Sequence, residues 1–551
     1  MGNKLELTWV GKYENEEIEP RILIEDKEKS YGDKNTGNML IHGDNLLALK
    51  ALEREYSGKI KCIYIDPPFN TGAAFEHYDD NLEHSIWLNL MRKRLMILRN
   101  LLADNGVILV HLDDEELHYL KIIMDEIFGR NKFVSSITVQ SSTPSGTKLA
   151  HKNKTILKTK DTILVYKKTD NLEIEPQYMP LNQLTNFNSF FEVIDDDKEI
   201  YNIKSLKEVL VEKEIINSKD RITDIKLDSN PKFEEFCLKY RNNIFRRQPS
   251  MPEDIKKFSK QNPDKIIKYI HNGEKFYAQN GYRFAFLNGS IKEVEGKEMV
   301  AQLVCDLWTD ISFHGTQYEG NNSFPAGKKP ERLIMRVLKM FTKEGDFVLD
   351  SFLGSGTTAA VANKMKRKWI GIEMGEQCYT HCKKRIDWII DGNDKNAVST
   401  LNDYNGGGGY KFFELAPTLI NKDLFGEAII NKEYNADMLA SAVALHEGFK
   451  YNPSKEKFWK QSEGNEKSYL YVTTKFLNKE DIENIKTDME DNEFLIIACT
   501  AYDKDIEGLY KNIKIKKIPE MLLAKCEFGK ENYNLNIINP PEYEEEIEDE
   551  E

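Results

Sequence analysis

Two short stretches of this sequence hold residues whose types and spacing suit a common chemistry. The first is Asp66-Pro67-Pro68-Phe69, which follows the β-branched run Ile60–Ile65. A carboxylate at the C-terminal end of a parallel strand sits where open α/β sheets form their ligand crevice. The two prolines remove two backbone donors and stiffen the turn, so its carbonyls are held as acceptors. The ring of Phe69 adds a flat apolar surface. An acceptor carboxylate, a fixed carbonyl such as that of Pro67, and a stacking ring suit an exocyclic amino group on a planar heterocycle. The second stretch is Asp350-Ser-Phe352-Leu-Gly354-Ser-Gly356-Thr357-Thr358. Glycines there allow positive φ and close approach of backbone to a ligand, and a helix starting near Thr357 offers free amides. Glu373, at the end of the next predicted strand, occupies the place where a ribose diol is held in nucleoside-binding sheets. A dinucleotide fingerprint stays open on this motif alone, with Ala359 as its permitted third position. A P-loop does not, because no Gly-Lys-Ser/Thr follows.

Such groups need a scaffold, and the patterning supplies one. Short, nearly continuous apolar runs at 60–65, 107–112, 162–166, 347–349 and 369–372 predict buried parallel strands. Helices are predicted between them. Residues 85–102 place Trp87, Leu90, Met91, Leu95, Leu98 and Leu102 on one stripe and stop at Asn105-Gly106. Asp113 or Asp114 caps the next helix, and 330–341 forms another that opens on Pro330. The alternation predicts a doubly wound α/β sheet.

The 551 residues imply several domains. The sheet's first half is expected at 1–168 and its second at 316–405. Between them 169–315 loses the alternation and reads as an inserted α+β module. After the glycine run 406–409 a further α/β segment is expected at 410–540, followed by an acidic, disordered tail at 541–551. The tail's eight carboxylates make up more than half of the net charge of −14, whereas 135–168 carries seven lysines against one aspartate. A polyanion can therefore still be gripped locally. No run of about 18 apolar residues and no signal-peptide core is seen, so a cytoplasmic protein without membrane contact is expected. Cys378, His381 and Cys382 offer three potential zinc ligands in one helical turn but no distant fourth, so no metal is expected.

Asp-Pro-Pro-Phe together with Phe-Leu-Gly-Ser-Gly-Thr-Thr resembles the amino-methyltransferases of DNA. The catalytic motif precedes the cofactor motif, as in the circularly permuted β class. The run from Asp66 to Gly72, with Asp104-Asn-Gly106 and Ile127-Phe-Gly129, is similar to the modification subunits of type III restriction systems. Phe69 departs from the commoner tyrosine. The resemblance implies a Rossmann-like methyltransferase sheet and S-adenosylmethionine as cofactor, lying over Asp350, Phe352, Gly354, Gly356 and Thr357 with Glu373 on its ribose. It implies Asp44 and Lys329 at the cofactor's adenine and carboxylate ends. The acceptor implied is an adenine N6 in double-stranded DNA, reached by base flipping with Phe69 stacked on the extruded ring. Cytosine N4 is the nearest alternative, favoured in the family by serine where Asp66 stands; a second is a cofactor-binding recognition subunit that scaffolds a restriction partner. The insert is expected to read DNA sequence through Arg246 and Arg247, while Lys148, Lys152 and Lys154, with Lys158 and Lys160, are assigned to phosphates. A homodimer and a helicase–nuclease restriction subunit are the partners implied.

Overall fold

The computed structural model describes residues 6–13, 18–68, 80–143, 149, 152–153, 155–322, 324, 327–526 and 528. The main sheet has ten strands: β1 (Leu23–Gly32), β2 (Met39–His42), β3 (Ile60–Ile65), β4 (Leu102–Leu112), β5 (Phe133–Gln140), β6 (Lys160–Lys167), β7 (Leu307–Trp308), β8 (Phe347–Asp350), β9 (Lys368–Glu373) and β10 (Gly409–Leu415). Their spatial order is β1-β10-β2-β9-β8-β3-β4-β6-β5-β7. The six strands from β10 to β4 run parallel. Their C-terminal ends therefore share one edge.

Both faces of this sheet are covered, and that explains the continuous apolar runs. Ile41, Ile63, Ile65, Ile108, Val110, Leu349, Ile370 and Ile372 pack into one cluster with helices α1 (Asn45–Tyr56), α2 (Asp80–Leu101) and α3 (Asp114–Phe128). The alternate residues Leu40, Cys62, Tyr64, Leu109 and Val348 point the other way and are equally buried. Asp44 caps α1 by accepting from the amides of Leu46 and Leu47, and Asp113 caps α3 through the amide of Glu115.

Three expectations are corrected. The run at 162–166 is not parallel: β6 pairs antiparallel with both β4 and β5. A strand buried on both faces carries the same apolar run in either direction, so periodicity could not distinguish the two. The glycines at 406–409 do not separate a new domain, because β10 begins at Gly409 and lies inside the main sheet between β1 and β2. Gly409 tolerates no side chain, since a Cβ there would lie 2.2 Å from the amide nitrogen of Asp33. Pro330 is the cap of helix α4 (Glu331–Phe341), not its first residue.

Residues 176–305 form a compact unit of their own that interrupts the first in sequence. It holds a six-stranded antiparallel sheet containing Ser189–Asp195, Ile244–Gln248 and Tyr282–Phe286, and a three-stranded sheet. Beyond β10 a five-stranded sheet includes the parallel strands Ser468–Thr473, Phe494–Cys499 and Ile513–Lys517. No described helix is long and apolar enough to cross a membrane. The acidic segment 541–551 lies outside the described residues.

A buried ionic knot ties α4 to the glycine-rich turn and to helix α5 (Thr357–Lys364). Glu331 accepts from Arg385 at 2.7 Å and Lys364 at 2.5 Å, and all three side chains are fully buried. The two cations hold the Glu331 carboxyl down at about 2 against the opposing effect of burial. Arg385 also donates to the Thr357 hydroxyl at 2.7 Å, and Lys364 pairs with Asp394. Removing the shared carboxylate leaves two buried cations short of a partner. Glu331→Ala should therefore cost about 3–5 kcal/mol, read as a lowered urea midpoint, and Glu331→Gln should cost less.

Candidate active site

The parallel strands deliver acidic residues to one edge. Asp350 and Glu373 end β8 and β9, while Asp44, Asp66 and Asp113 follow β2, β3 and β4. Each carboxylate is handled differently. Asp350 is buried and accepts from the Phe352 amide at 3.0 Å and the Thr358 hydroxyl at 2.6 Å. Burial outweighs those bonds and pushes its carboxyl up to about 7. Glu373 accepts from the amides of Gly354, Met374 and Gly375 and from the Gln377 side chain, at 2.7 to 3.2 Å. Its carboxyl is still raised by burial, with those four donors opposing. One oxygen of Glu373 takes three of the bonds and the other only that of Gly354, leaving acceptor capacity on the latter.

The turn between β8 and α5 is open to a ligand. Gly354 has φ +54°, and a Cβ built there would find only the Phe352 carbonyl oxygen, at 3.9 Å. Gly356 has φ +81° and caps α5, with the Cα of Cys382 at 3.3 Å from a Cβ, so a side chain is doubly unwelcome. Thr357, expected on the cofactor, has its hydroxyl engaged by Arg385 and within 3.0 Å of that of Ser355. Thr358 is the hydroxyl that reaches Asp350.

Asp66 leaves β3 with its two oxygens in different states. Oδ2 is ion-paired to the ammonium of Lys329, whose side chain is buried. Oδ1 is buried with no hydrogen-bond partner among the described residues. A buried carboxylate oxygen without a donor is costly, and it is suited to accept one from a substrate. The next carbonyl but one, that of Pro68, is held by the indole N–H of fully buried Trp87 at 2.8 Å. Trp87 was legible only as part of a helical stripe; its donor to the proline turn had no signature. Lys329, placed by resemblance at the cofactor's carboxylate end, is on Asp66. Asp44 pairs with buried Arg94 at 3.2 Å in addition to capping α1. Asn45 joins this group, donating at 2.6 Å to the Ser351 carbonyl and accepting from Arg94. Phe69 lies outside the described residues.

Behind Asp66 runs a second feature the sequence did not announce. The Tyr64 hydroxyl meets His111 Nδ1 at 2.7 Å, and His111 Nε2 lies 3.4 Å from Asp161. Burial, helped by the charge of Lys329, lowers the His111 pKa, and burial raises that of Tyr64.

Cys378 and Cys382 are buried thiols whose pKa values burial raises, and Cys382 donates to the Gly354 carbonyl at 3.0 Å. Among the described residues no group of three metal-ligating side chains is spaced to hold an ion. In the separate unit 176–305, Arg246 lies over the Phe187 ring at 5.2 Å, its Nε buried with no hydrogen-bond partner among the described residues, and Arg247 is exposed. Lys152 is exposed, while Lys148 and Lys154 fall outside the described residues. Lys158 and Lys160 pair with Asp113 and Asp114 at 2.7 and 2.5 Å.

The profile of the DNA methylase family, covering N6 and N4 methylases, matches residues 60–384, which hold Asp66, Asp350 and Glu373. The chain belongs to the DNA methylase family. It is 36% identical over 411 residues to the protein named "Probable type III restriction-modification enzyme HindVI Mod subunit" of Haemophilus influenzae, covering 69% of this chain and 54% of that one. It is 27% identical over 417 residues to the type III restriction-modification enzyme EcoPI Mod subunit of Escherichia phage P1, covering 66% and 61%. With the type II methyltransferase M.KpnI of Klebsiella pneumoniae it shares 26% over 351 residues, covering 60% and 77%. The chain thus spans about half the length of the curated Mod subunits it matches.

The raised pKa of Asp350 makes a pH prediction for this chain. The folded chain favours the protonated acid, so this group's contribution to stability falls as pH rises from about 4, the usual carboxylate range, to about 7. Asp350→Asn should therefore gain stability relative to the parent across that window and level off above it. Melting temperatures at a series of pH values test this, and a difference that stays flat contradicts it.

Proposed function

We propose that the chain transfers the methyl group of S-adenosylmethionine to N6 of an adenine flipped out of duplex DNA. The observation that carries this reading is Asp66, at the end of β3, with Oδ2 anchored by Lys329 and Oδ1 buried without a partner among the described residues. Membership of the methylase family supports the reaction class, and aspartate rather than serine at the first motif position supports adenine.

The residues present fit the cofactor. The open backbone at Gly354 admits a ligand against the loop, and the spare acceptor oxygen of Glu373 suits a ribose hydroxyl. Asp350 in its ionised form attracts a cation. When bound, S-adenosylmethionine supplies an electrophilic methyl on a sulfonium. Asp66 Oδ1 accepts one hydrogen of the base amine and, with the Pro67 carbonyl as second acceptor, turns the nitrogen lone pair away from the ring. Trp87 fixes the proline turn by holding Pro68, and Lys329 fixes the carboxylate. The oriented amine would take the methyl that the sulfonium supplies, and Asp66 would pass the surplus amine proton to water. Orientation and polarisation supply most of the acceleration.

The order of the two motifs fits the circularly permuted class, and the unit 176–305, placed between them, is assigned to target recognition, with Arg246 and Arg247 as its DNA-contacting candidates. Relatives named as Mod subunits of type III restriction-modification enzymes support the reading of a modification subunit that works with a restriction partner; a homodimer is the assembly that the family resemblance implies.

Asp66→Ala should lower turnover by a factor on the order of 10^3 or more while leaving S-adenosylmethionine affinity intact; turnover near the parent level would remove Asp66 from the reaction. Exchange of 176–305 for the corresponding unit of a relative should change the methylated sequence and leave the methylated atom unchanged, as read by modified-base sequencing.

A further inference from the structure

A concave site lies over the sheet, on the face covered by α1. Its cavity of about 410 Å³ is lined on the sheet by Met39 of β2 and Lys411 and Phe413 of β10, and beside them by Arg21 and Leu23. The C-terminal turn of α1 contributes Arg54 and Tyr56, and the helix Ala436–Glu447, with the residues that follow it, contributes Leu445, Lys450 and Tyr451. None of Asp44, Asp66, Asp350 and Glu373 lines it.

The chemistry of this cavity is one-sided. Four cations, Arg21, Arg54, Lys411 and Lys450, face a single carboxylate, Glu55. Arg21 reaches Glu19 only at 3.4 Å, and its Nε is buried with no hydrogen-bond partner among the described residues. The side chains of exposed Arg54 and Lys450 and of half-buried Lys411 have no ion pair or hydrogen bond to other described residues. Clustered like charges repel, and with only Glu19 on Arg21 and Glu55 in the lining to oppose them the four cations keep a positive excess that an anion would offset. Guanidinium groups beside ammonium groups match phosphate oxygens, by forked hydrogen bonds and by point charge. The remaining walls are the half-buried rings of Tyr56, Phe413 and Tyr451, which suit a planar apolar body. The volume falls in the range of small-ligand sites, roughly 300–1,000 Å³.

We propose that this cavity binds a nucleoside phosphate, its phosphates among Arg21, Arg54, Lys411 and Lys450 and its base against the aromatic wall. The site is independent of the transfer reaction, and its occupant bridges the main sheet, through β2 and β10, to the helix Ala436–Glu447. It would therefore link the C-terminal segment to the strand pair that carries Asp44 at its far end.

Calorimetric titration of the full chain tests this, with ADP, AMP and pyrophosphate as probes and S-adenosylmethionine present at saturation to occupy the other site. ADP should bind at one site per chain, more tightly than AMP or pyrophosphate, and Arg54→Ala with Lys411→Ala should weaken it by about tenfold or more. Lys450→Ala, at an exposed position, should weaken it less and serves where the double variant is poorly folded. S-adenosylmethionine affinity and melting temperature should stay at parent values in both. Absence of ADP binding, binding unchanged by the substitutions, or displacement of ADP by S-adenosylmethionine overturns the proposal. So does loss of DNA affinity in the variants without any nucleotide binding, which would make the cluster a contact for DNA phosphates.

Discussion

The constraint on which this structure depends is that parallel strands bring their ends, and hence their acidic residues, to a single edge. Carboxylates gathered there repel one another and lose solvation, so each must be compensated or protonated. The loops around the edge are shaped by that need. The amides of Gly354, Met374 and Gly375 turn inward to Glu373, Thr358 and the Phe352 amide serve Asp350, and Arg94 and the start of α1 serve Asp44. Asp66 alone of these four keeps a buried oxygen without a donor among the described residues. The reaction proposed above uses that exception.

Support for the edge comes from deeper in the chain. Glu331, Lys364 and Arg385 sit under the turn that carries Gly354 and Gly356, and Arg385 grips Thr357 directly. Buried ion pairs seldom add net stability, but removing one partner is strongly destabilising, so such a knot fixes geometry more than it lowers energy. Trp87 does the same for the proline turn with a single N–H. The two halves of the site, which are far apart in sequence, are joined where Lys329 meets Asp66 and where Asn45 meets Ser351.

Much of this was legible in the residues. The runs ending at Ile65, Leu349 and Ile372 announced buried strands because both faces of the sheet are covered, and the acidic residue after each announced the edge. Strand direction was not legible at 162–166, since burial on both faces erases the alternation that distinguishes an edge or half-exposed strand. Nor was the return of β10 to the sheet, because a glycine run reads as a linker, while at Gly409 glycine is required by close backbone packing. Side-chain roles that depend on long-range meetings were the least visible. Lys329 and Asp66 are 263 residues apart, and nothing local to either predicts their pairing. The same holds for Tyr64, His111 and Asp161, which sit on three adjacent strands.

The central claim is that this edge presents one acceptor carboxylate to the amine of an adenine. It is tested most directly by incubating the purified chain with S-adenosylmethionine and unmodified duplex DNA, followed by sequencing that resolves modified bases. The account predicts N6-methyladenine confined to one short recurring sequence. Methylation at cytosine N4, or no base methylation by a chain that binds both DNA and cofactor, would contradict it.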